Sequence, residues 1–573
     1  MLFFLLAVVR AQCPTYSPLK NPYFGDTHVH THLSLDARIQ GTTVTPTSAY
    51  AFAKGQTIDT TTIPIAPLDF AIVTDHAEFL GELEICNREE LPGYEHPICQ
   101  RYRKDPQKEF VAMNMALAGI SWFGKPPPRL KLCGKNGQNC RAAAQSPWLQ
   151  IQRAAQNAYE PCSFTSFIGY EWSGSPLAQN LHRNVIFENE HVPSLPISFF
   201  EASRPEQLWK ALDEECKAPC AALTIPHNSN LSNGQMFLPY QRFRGKKLLH
   251  YAHKRAYYEP LVEVFQHKGS SECGVGSPDE ECRYESLPYN NLVADRYNGF
   301  LTGEPKKRDF VRGALETGLR IEERIGVNPY QYGMIASTDT HNGTPGAVSK
   351  EEYAGHGGVS GKDIENPFQD NPRFNPGGLA VLWAEENTRS SLFAAMRRKE
   401  VYGTSGSRIV MRFFAGENLP EDLCHQENRI EQAYKRGVPM GGVLRNPKEL
   451  DLFFEVEMDP MTKPIAQVQV IKGTLKKGKP HSEIIDLLPT EPTGYTHSCA
   501  VWNDPNFDPK EPAFYYLRVL EQPSIRWTQR LCQQKQIDCT TKVPKAWKPC
   551  CDPSIPKQVQ ERAWSSPIWT SRH

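Results

Sequence analysis

Five short apolar runs in the first 341 residues end on histidine, aspartate or glutamate. Tyr23-Phe24-Gly25 leads into Asp26-Thr27-His28-Val29-His30, with Asp36 six residues beyond His30. Leu68–Thr74 ends at Asp75-His76, and Phe164–Tyr170 ends at Glu171, with His182 soon after. Ala221–Ile225 runs into Pro226-His227, and Tyr332–Ser337 runs toward Asp339-Thr340-His341. Runs this short and continuous predict strands buried on both faces. Helical patterns at 205–214 and 309–323 fall between some of them, which predicts parallel βα units. In a (β/α) barrel the strand C-termini converge on one mouth. Residues two apart on a strand share a face, so His28 points with His30, and Asp339 with His341. Imidazoles and carboxylates gathered in this way suit Mn, Zn or Fe rather than Ca or a thiolate-bound ion. A lone strand-end histidine is ordinary, and His356, His425, His481 and His573 are read as such. A ligand-type residue at the end of one strand after another is not.

Composition narrows the function class. Lys+Arg is 64 and Asp+Glu is 64, so no net field draws in nucleic acid, and no nucleic-acid polymer is expected as a partner. The 16 cysteines divide into ten up to Cys282 and six from Cys424, so each half can close internally, as five and three disulfides. No paired CxxC motif is present, and Cys216 and Cys220 read as a disulfide rather than as metal ligands. Leu2–Val9 is apolar, and Val9-Arg10-Ala11 places small residues around a cut after Ala11, which predicts a signal peptide over 1–11. No later run reaches 18 apolar residues, so no membrane span is expected and the protein is placed outside the cytoplasm, secreted or periplasmic.

A barrel domain is expected over 12–377, interrupted at about 81–160 by a polar, Cys- and Pro-containing insertion with helices near 108–119 and 147–158. From 378 to 573 the texture changes. Leu379–Trp383 reads as a strand, Thr388 caps a helix carrying Leu392, Ala395 and Met396, and Gly403 stops it. Alternating runs at Ile409–Phe414, Leu452–Glu457, Ile465–Ile471, Phe514–Leu520 and Pro567–Trp569 then predict an antiparallel β domain, sandwich-like and packed on the barrel.

The segments Asp26–Ser34 and Leu68–His76, with Gly169-Tyr170-Glu171, His182, His227 and Asp339-Thr340-His341, resemble the motifs of the PHP (polymerase and histidinol phosphatase) superfamily. Lys399–Ile409 and Ser565–Trp569 are similar to later signatures of a large exported PHP-like family long labelled a domain of unknown function. The resemblance spans about 22–570 and implies an α/β fold, a distorted (β/α)7 barrel, holding two or three divalent metal ions. By position, His28, His30, Glu171 and Asp339 would hold the first ion. Glu171 would bridge to a second held by His182 and His227, and Asp36, His76 and His341 would hold a third. The usual first motif has its aspartate directly after the serine, whereas here Leu35 intervenes between Ser34 and Asp36.

Such a cluster lowers the pKa of bound water toward ~7, so the expected activity is metal-dependent hydrolysis of a small-molecule ester. The resemblance implies a phosphoesterase acting on small or nucleotide-like phosphate esters. The alternatives are a carbamate or carboxylic ester metallohydrolase, and a non-enzymatic metal-containing binding protein. His267 is a candidate proton donor to the leaving group, and Asp75, which could orient His76 or another ligand, is the second candidate catalytic residue. Arg183, Lys268 and Arg408 are candidate substrate-binding residues, with Arg389 a further phosphate clamp. Ser34 is expected to support a ligand. The sequons at Asn230 and Asn342 lie next to proposed ligands and read as turn chemistry.

Overall fold

The computed structural model describes residues 12–58, 65–120, 127–237, 243–274, 277–292, 303–358, 367–368, 370–489 and 491–572. The expected signal peptide (1–11) and His573 lie outside the described residues. The strands that carry the ligand-type residues are β1 (Asn21–Val29), β2 (Phe70–Val73), β3 (Thr165–Ser166), β4 (Ile168–Trp172), β5 (Arg183–Phe187), β6 (Ala222–Pro226), β7 (Leu261–Gln266), β8 (Gly269–Ser270) and β9 (Gly333–Ala336). β10 (Leu379–Ala384) and β11 (Val401–Thr404) follow.

β1, β2 and β3 pair in parallel, as do β7 and β9. Gly25 permits the first pairing, since a Cβ there would lie 2.4 Å from the carbonyl oxygen of Phe70. The expected parallel pattern fails at β4–β5–β6, which form an antiparallel meander. The link 173–182 holds only a 3₁₀ turn at Pro176–Ala178, too short for a crossover helix. β10 pairs antiparallel with β1, and β11 with β10. No hydrogen-bonded ladder closes on itself among the described residues, so the fold is mixed α/β with several sheets rather than a barrel closed by hydrogen bonds. The sheets nevertheless share an interior. Tyr23, Ile72, Ile186, Ile225, Leu261, Ile335, Leu382 and Val401 belong to one buried apolar cluster.

The helix after Thr388 is Arg389–Arg398, and the Thr388 side chain accepts from the Ser391 amide. It ends at Lys399, in the left-handed region at φ 64°, and not at Gly403. Gly403 lies within β11, where a Cβ would come 2.7 Å from the Ala336 nitrogen, so it serves close packing on β9. The sheet containing β1 runs on through β11 into Arg562–Ser565, Ala513–Glu521 and Ile465–Lys476. A second antiparallel sheet pairs Asp451–Glu457 with Val410–Gly416 on one side and His497–Asn503 on the other. Phe413 and Phe454 from that sheet share a core with Val470 and Leu517 from the first, the packing of a sandwich.

All 16 cysteines are paired in eight disulfides. Five lie within the first 282 residues and three from Cys424 onward, as the count predicted. Cys86–Cys99 and Cys133–Cys140 staple the insertion, whose helices include Pro106–Ile120 and Gln145–Ala158. Its apolar residues Leu83, Ile85, Tyr102 and Leu132 pack with Leu35, which sets the insertion beside Asp36. Among the described residues no helix is long and apolar enough to cross a membrane.

Glu272, just after β8, joins the two halves of the chain. Its buried carboxylate accepts from Arg312 (2.7 Å), Tyr516 (2.7 Å), Arg518 (3.0 Å) and Trp564 (2.7 Å). Burial pushes its pKa up, but Arg518 and Arg312 outweigh burial and bring it down to about 2. The stability this contributes is fully present above the ordinary carboxylate pKa of ~4.5 and is lost as pH falls toward 2. Glu272→Gln should cost roughly 3–5 kcal/mol near neutral pH, because it leaves buried guanidinium charge uncompensated. Urea unfolding of both proteins from pH 7 down to pH ~2.5 should show the difference shrinking below pH ~4.5; a difference independent of pH would refute this account.

Candidate metal centre

His28 is the penultimate residue of β1 and His30 lies just beyond it; Val29, between them, turns the other way into the apolar core. The strand end is fixed on both sides, since the His30 amide donates to Thr340 O (2.8 Å) and the Thr74 amide to Val29 O (2.8 Å). Buried Asp26 accepts from the Thr338 hydroxyl (2.6 Å) and from the Gly346 amide (2.9 Å), which ties β1 to the segment after β9. Asp339 in that segment adopts φ 54°, a left-handed conformation that aspartate tolerates at some cost. Glu171 comes from β4, where its amide donates to Asp75 O (3.0 Å) and its carbonyl accepts from the Ala77 amide (2.9 Å).

These devices bring four atoms together. His28 Nε2 lies 3.1 Å from His30 Nε2, 3.2 Å from Glu171 Oε2 and 3.2 Å from Asp339 Oδ1. His30 Nε2 lies 3.2 Å from Glu171 Oε2 and 3.1 Å from Asp339 Oδ1. Protons can serve one or two of these approaches but not all five, and Asp339 Oδ1 has no hydrogen-bond partner. Three of these atoms, His28 Nε2, His30 Nε2 and Asp339 Oδ1, form a triangle with sides of 3.1–3.2 Å, which a divalent ion about 2.0–2.1 Å from each corner can cap. The residues present therefore fit a metal ion.

The other oxygen of Glu171 faces His182 Nδ1 (2.6 Å) and His227 Nε2 (3.4 Å). On the opposite side Asp36 Oδ2 lies 3.0 Å from His76 Nε2 and 3.1 Å from His341 Nε2, so the residue displaced by Leu35 still reaches its expected partners. The shift is absorbed by the short helix Leu35–Ile39, which carries Asp36 in its first turn. Each of the nine expected ligands thus faces at least one other. His30, Asp36, His76 and His341, and separately His28, Glu171 and His227, form groups that could hold a metal ion.

Charge polarises the cluster. Burial raises the Glu171 carboxyl, but His76, His182 and His227 outweigh it and hold it well below the usual carboxylate range. Asp339 is held low in the same way by His28 and Lys268. Burial pulls His76 down, yet Asp36 and Glu171 lift it to about 10. Burial, with His28 alongside, pushes His227 down to about 3.

Around the ligands, His28 Nδ1 faces Glu263 (3.3 Å), a carboxylate behind a ligand imidazole that fixes ring and tautomer. His30 Nδ1 is 2.9 Å from Ser34 Oγ, which donates to Asp75 Oδ1 (2.8 Å). The remaining acceptor positions of Asp75 are taken by the Thr31 amide and hydroxyl. Asp75 therefore orients His30 through Ser34 rather than facing the ligand atoms or His76. Asp339 Oδ2 accepts from Gln266 Nε2 (2.6 Å) and pairs with the Lys268 ammonium. His267, 1% exposed, has its Nε2 3.5 Å from that same oxygen, and neither ring nitrogen has a hydrogen-bond partner.

The arginines lie elsewhere. Arg183 is buried against Glu259 (2.5 Å), Arg408 donates to the carbonyls of Ala66 and Pro67, and Arg389 to that of Ser166. Their guanidinium groups are spent on structure, so Arg183 and Arg408 are corrected from substrate residues to structural ones. Asn230 and Asn342 are buried, with their amides donating to Lys268 O and Gly355 O, so both sequons serve turns. Glu263, Gln266, Ser173 (Oγ 2.5 Å from His76 Nδ1) and Ser175 (Oγ 2.6 Å from His182 Nε2) are not marked as site residues by the sequence. The alternation on β7 puts Glu263 on the face of His267, but nothing local marks it as the partner of His28.

No curated protein matches the chain. A solved two-domain protein from Bacteroides vulgatus ATCC 8482, described as containing a predicted PHP-like metal-dependent phosphoesterase, aligns at 10% identity over 88% of this chain and 92% of that one. The TM-score is 0.31, and at that level the likeness fixes neither fold nor activity. The family model described as "Protein of unknown function (DUF3604)" matches residues 17–493 and 488–572. The chain therefore belongs to the DUF3604 family of proteins of unknown function.

Proposed function

We propose that this protein is an exported metal-dependent hydrolase, a phosphoesterase acting on small or nucleotide-like phosphate esters. The observation that carries the reading is the set of five 3.1–3.2 Å approaches among His28, His30, Glu171 and Asp339. The convergence of strand ends around them supports a distorted PHP-like barrel, and the eight disulfides support export. Two or three divalent ions (Mn, Zn or Fe) held there would supply a hydroxide nucleophile near neutral pH and positive charge for the ester oxygens. Glu171 faces imidazoles on both sides and would contribute an oxygen to each of the first two positions. Gln266 holds Asp339 in place. Lys268, 22% exposed at its side chain, is the cation whose charge reaches Asp339, His182 and His341, and it is placed to bind an anionic substrate oxygen. His267 faces the same carboxylate, which supports a role for it next to the substrate.

One observation favours a second reading. Arg183, Arg389 and Arg408 are tied into the fold, so none of these three joins Lys268 as a phosphate clamp, and a neutral carbamate or carboxylic ester needs none.

Elemental analysis of the purified protein should find at least two Mn, Zn or Fe ions per chain. The His28→Ala/His30→Ala variant should lose metal and lower turnover of an aryl phosphodiester by about 10³-fold or more. Lys268→Met should raise KM for an aryl phosphate about 10–100-fold and that for an aryl carboxylate by much less, since one charge-assisted hydrogen bond to the phosphate is lost. Turnover of carboxylate esters alone would establish the second reading. Full metal occupancy with no turnover of any ester would show a metal-containing binding protein instead.

A further inference from the structure

His267 is a buried imidazole with two unanswered nitrogens, and it sits between two carboxylates. Its Nε2 is 3.5 Å from Asp339 Oδ2, and its Nδ1 is 3.7 Å from Asp370 Oδ2. Asp370 is far off in sequence and belongs to the loop before β10. Its place is tightly specified. Oδ2 accepts from the Tyr353 hydroxyl (2.7 Å) and the His356 amide (2.9 Å), and Oδ1 from the Asn371 amide (2.7 Å). The imidazole plane is set by the rings of His356 and Phe374, both packed edge-on at centroid distances of 5.7 and 5.3 Å. The same loop grips the end of β7, since Asn375 donates its amides to His267 O and Gln266 O.

This loop is anchored from the far end of the chain. Trp527 packs on Tyr353 (4.8 Å) and donates its indole N–H to Phe374 O (2.9 Å). Arg526 reaches the carbonyls of Pro372 and Phe374 while paired with Glu285. Behind Trp527 stand the disulfides Cys532–Cys550 and Cys539–Cys551. So much packing is devoted to placing one carboxylate behind one imidazole whose other edge faces the metal-ligand cluster.

We propose that Asp370 is a positioning residue for the reaction: it takes the Nδ1–H of His267 and thereby holds the imidazole with its Nε2 edge against Asp339, fixing the placement of that candidate ligand. The inference rests on the hydrolase reading above for its functional consequence, but not for the geometry. The 3.7 Å separation is about 0.5–1 Å longer than a hydrogen bond, the kind of gap that closes when the other edge of the ring is engaged. A histidine whose Nδ1–H is held by a carboxylate keeps one ring orientation, which a free-turning ring does only part of the time.

The test is Asp370→Asn in the metal-loaded protein. It should lower kcat about 10–100-fold with KM within about threefold and metal content unchanged. In a His267→Gln background the same substitution should cost less than about twofold further, because a residue acting through His267 has nothing left to act on. Tyr353→Phe, which removes a hydroxyl from Asp370 without touching His267, should cost less than about threefold. Independent losses in the double variant, or a Tyr353→Phe loss equal to that of Asp370→Asn, would show that Asp370 merely braces the loop. NMR of ¹⁵N-histidine-labelled, zinc-exchanged protein should show His267 protonated at Nδ1, with that preference lost in Asp370→Asn. An unchanged tautomer would overturn the proposal. This readout needs no turnover, so it separates failure of the Asp370–His267 pair from failure of the hydrolase reading.

Discussion

The structure depends on two carboxylates, Glu171 and Asp339, being held within 3.2 Å of two imidazole nitrogens that also face each other. All four residues are almost wholly removed from solvent. Uncompensated charge in such a place is expensive, and hydrogen bonds alone cannot answer every approach. A divalent cation held there would answer them together. The remaining ligand residues extend the same logic, with Glu171 reaching His182 and His227 on one side and Asp36 joining His76 and His341 on the other.

Holding those groups together takes more than the strands that bear them. Asp26 ties β1 to the segment after β9 through Thr338 and Gly346, and Asp339 adopts a left-handed backbone in that segment. Glu263 backs His28, while Asp75 backs His30 through Ser34. These residues touch no ligand position themselves; they restrict the rotation of the imidazoles that do. Metal sites need this because a ring free to turn loses both affinity and selectivity.

The second half of the chain is part of this arrangement. Its strands continue the sheet of β1 through β10 and β11, and Glu272 locks Arg312 to Arg518, Tyr516 and Trp564. The terminal pair of disulfides and Trp527 brace the loop that delivers Asp370. The stapled insertion packs against Leu35, next to Asp36, so covalent cross-links stand close to both edges of the cluster.

The sequence by itself determined which residues gather. Period-two spacing and strand-end position are local properties, and with the motif resemblance they were enough to name nine residues that the fold brings together, to place most strands and helices, and to divide the disulfides five and three. Only the tertiary structure decided direction and partnership. Whether β5 runs parallel or antiparallel follows from a ten-residue link whose shape no local pattern records. The duties of Arg183 and Arg408 follow from what happens to surround them, Glu259 for one and the carbonyls of Ala66 and Pro67 for the other. Asp370 lies more than a hundred residues from His267, and contact between them arises from the packing of a loop against the far end of the chain. Side-chain type and spacing encode what a residue can bind, but which neighbour it meets is a property of the folded whole.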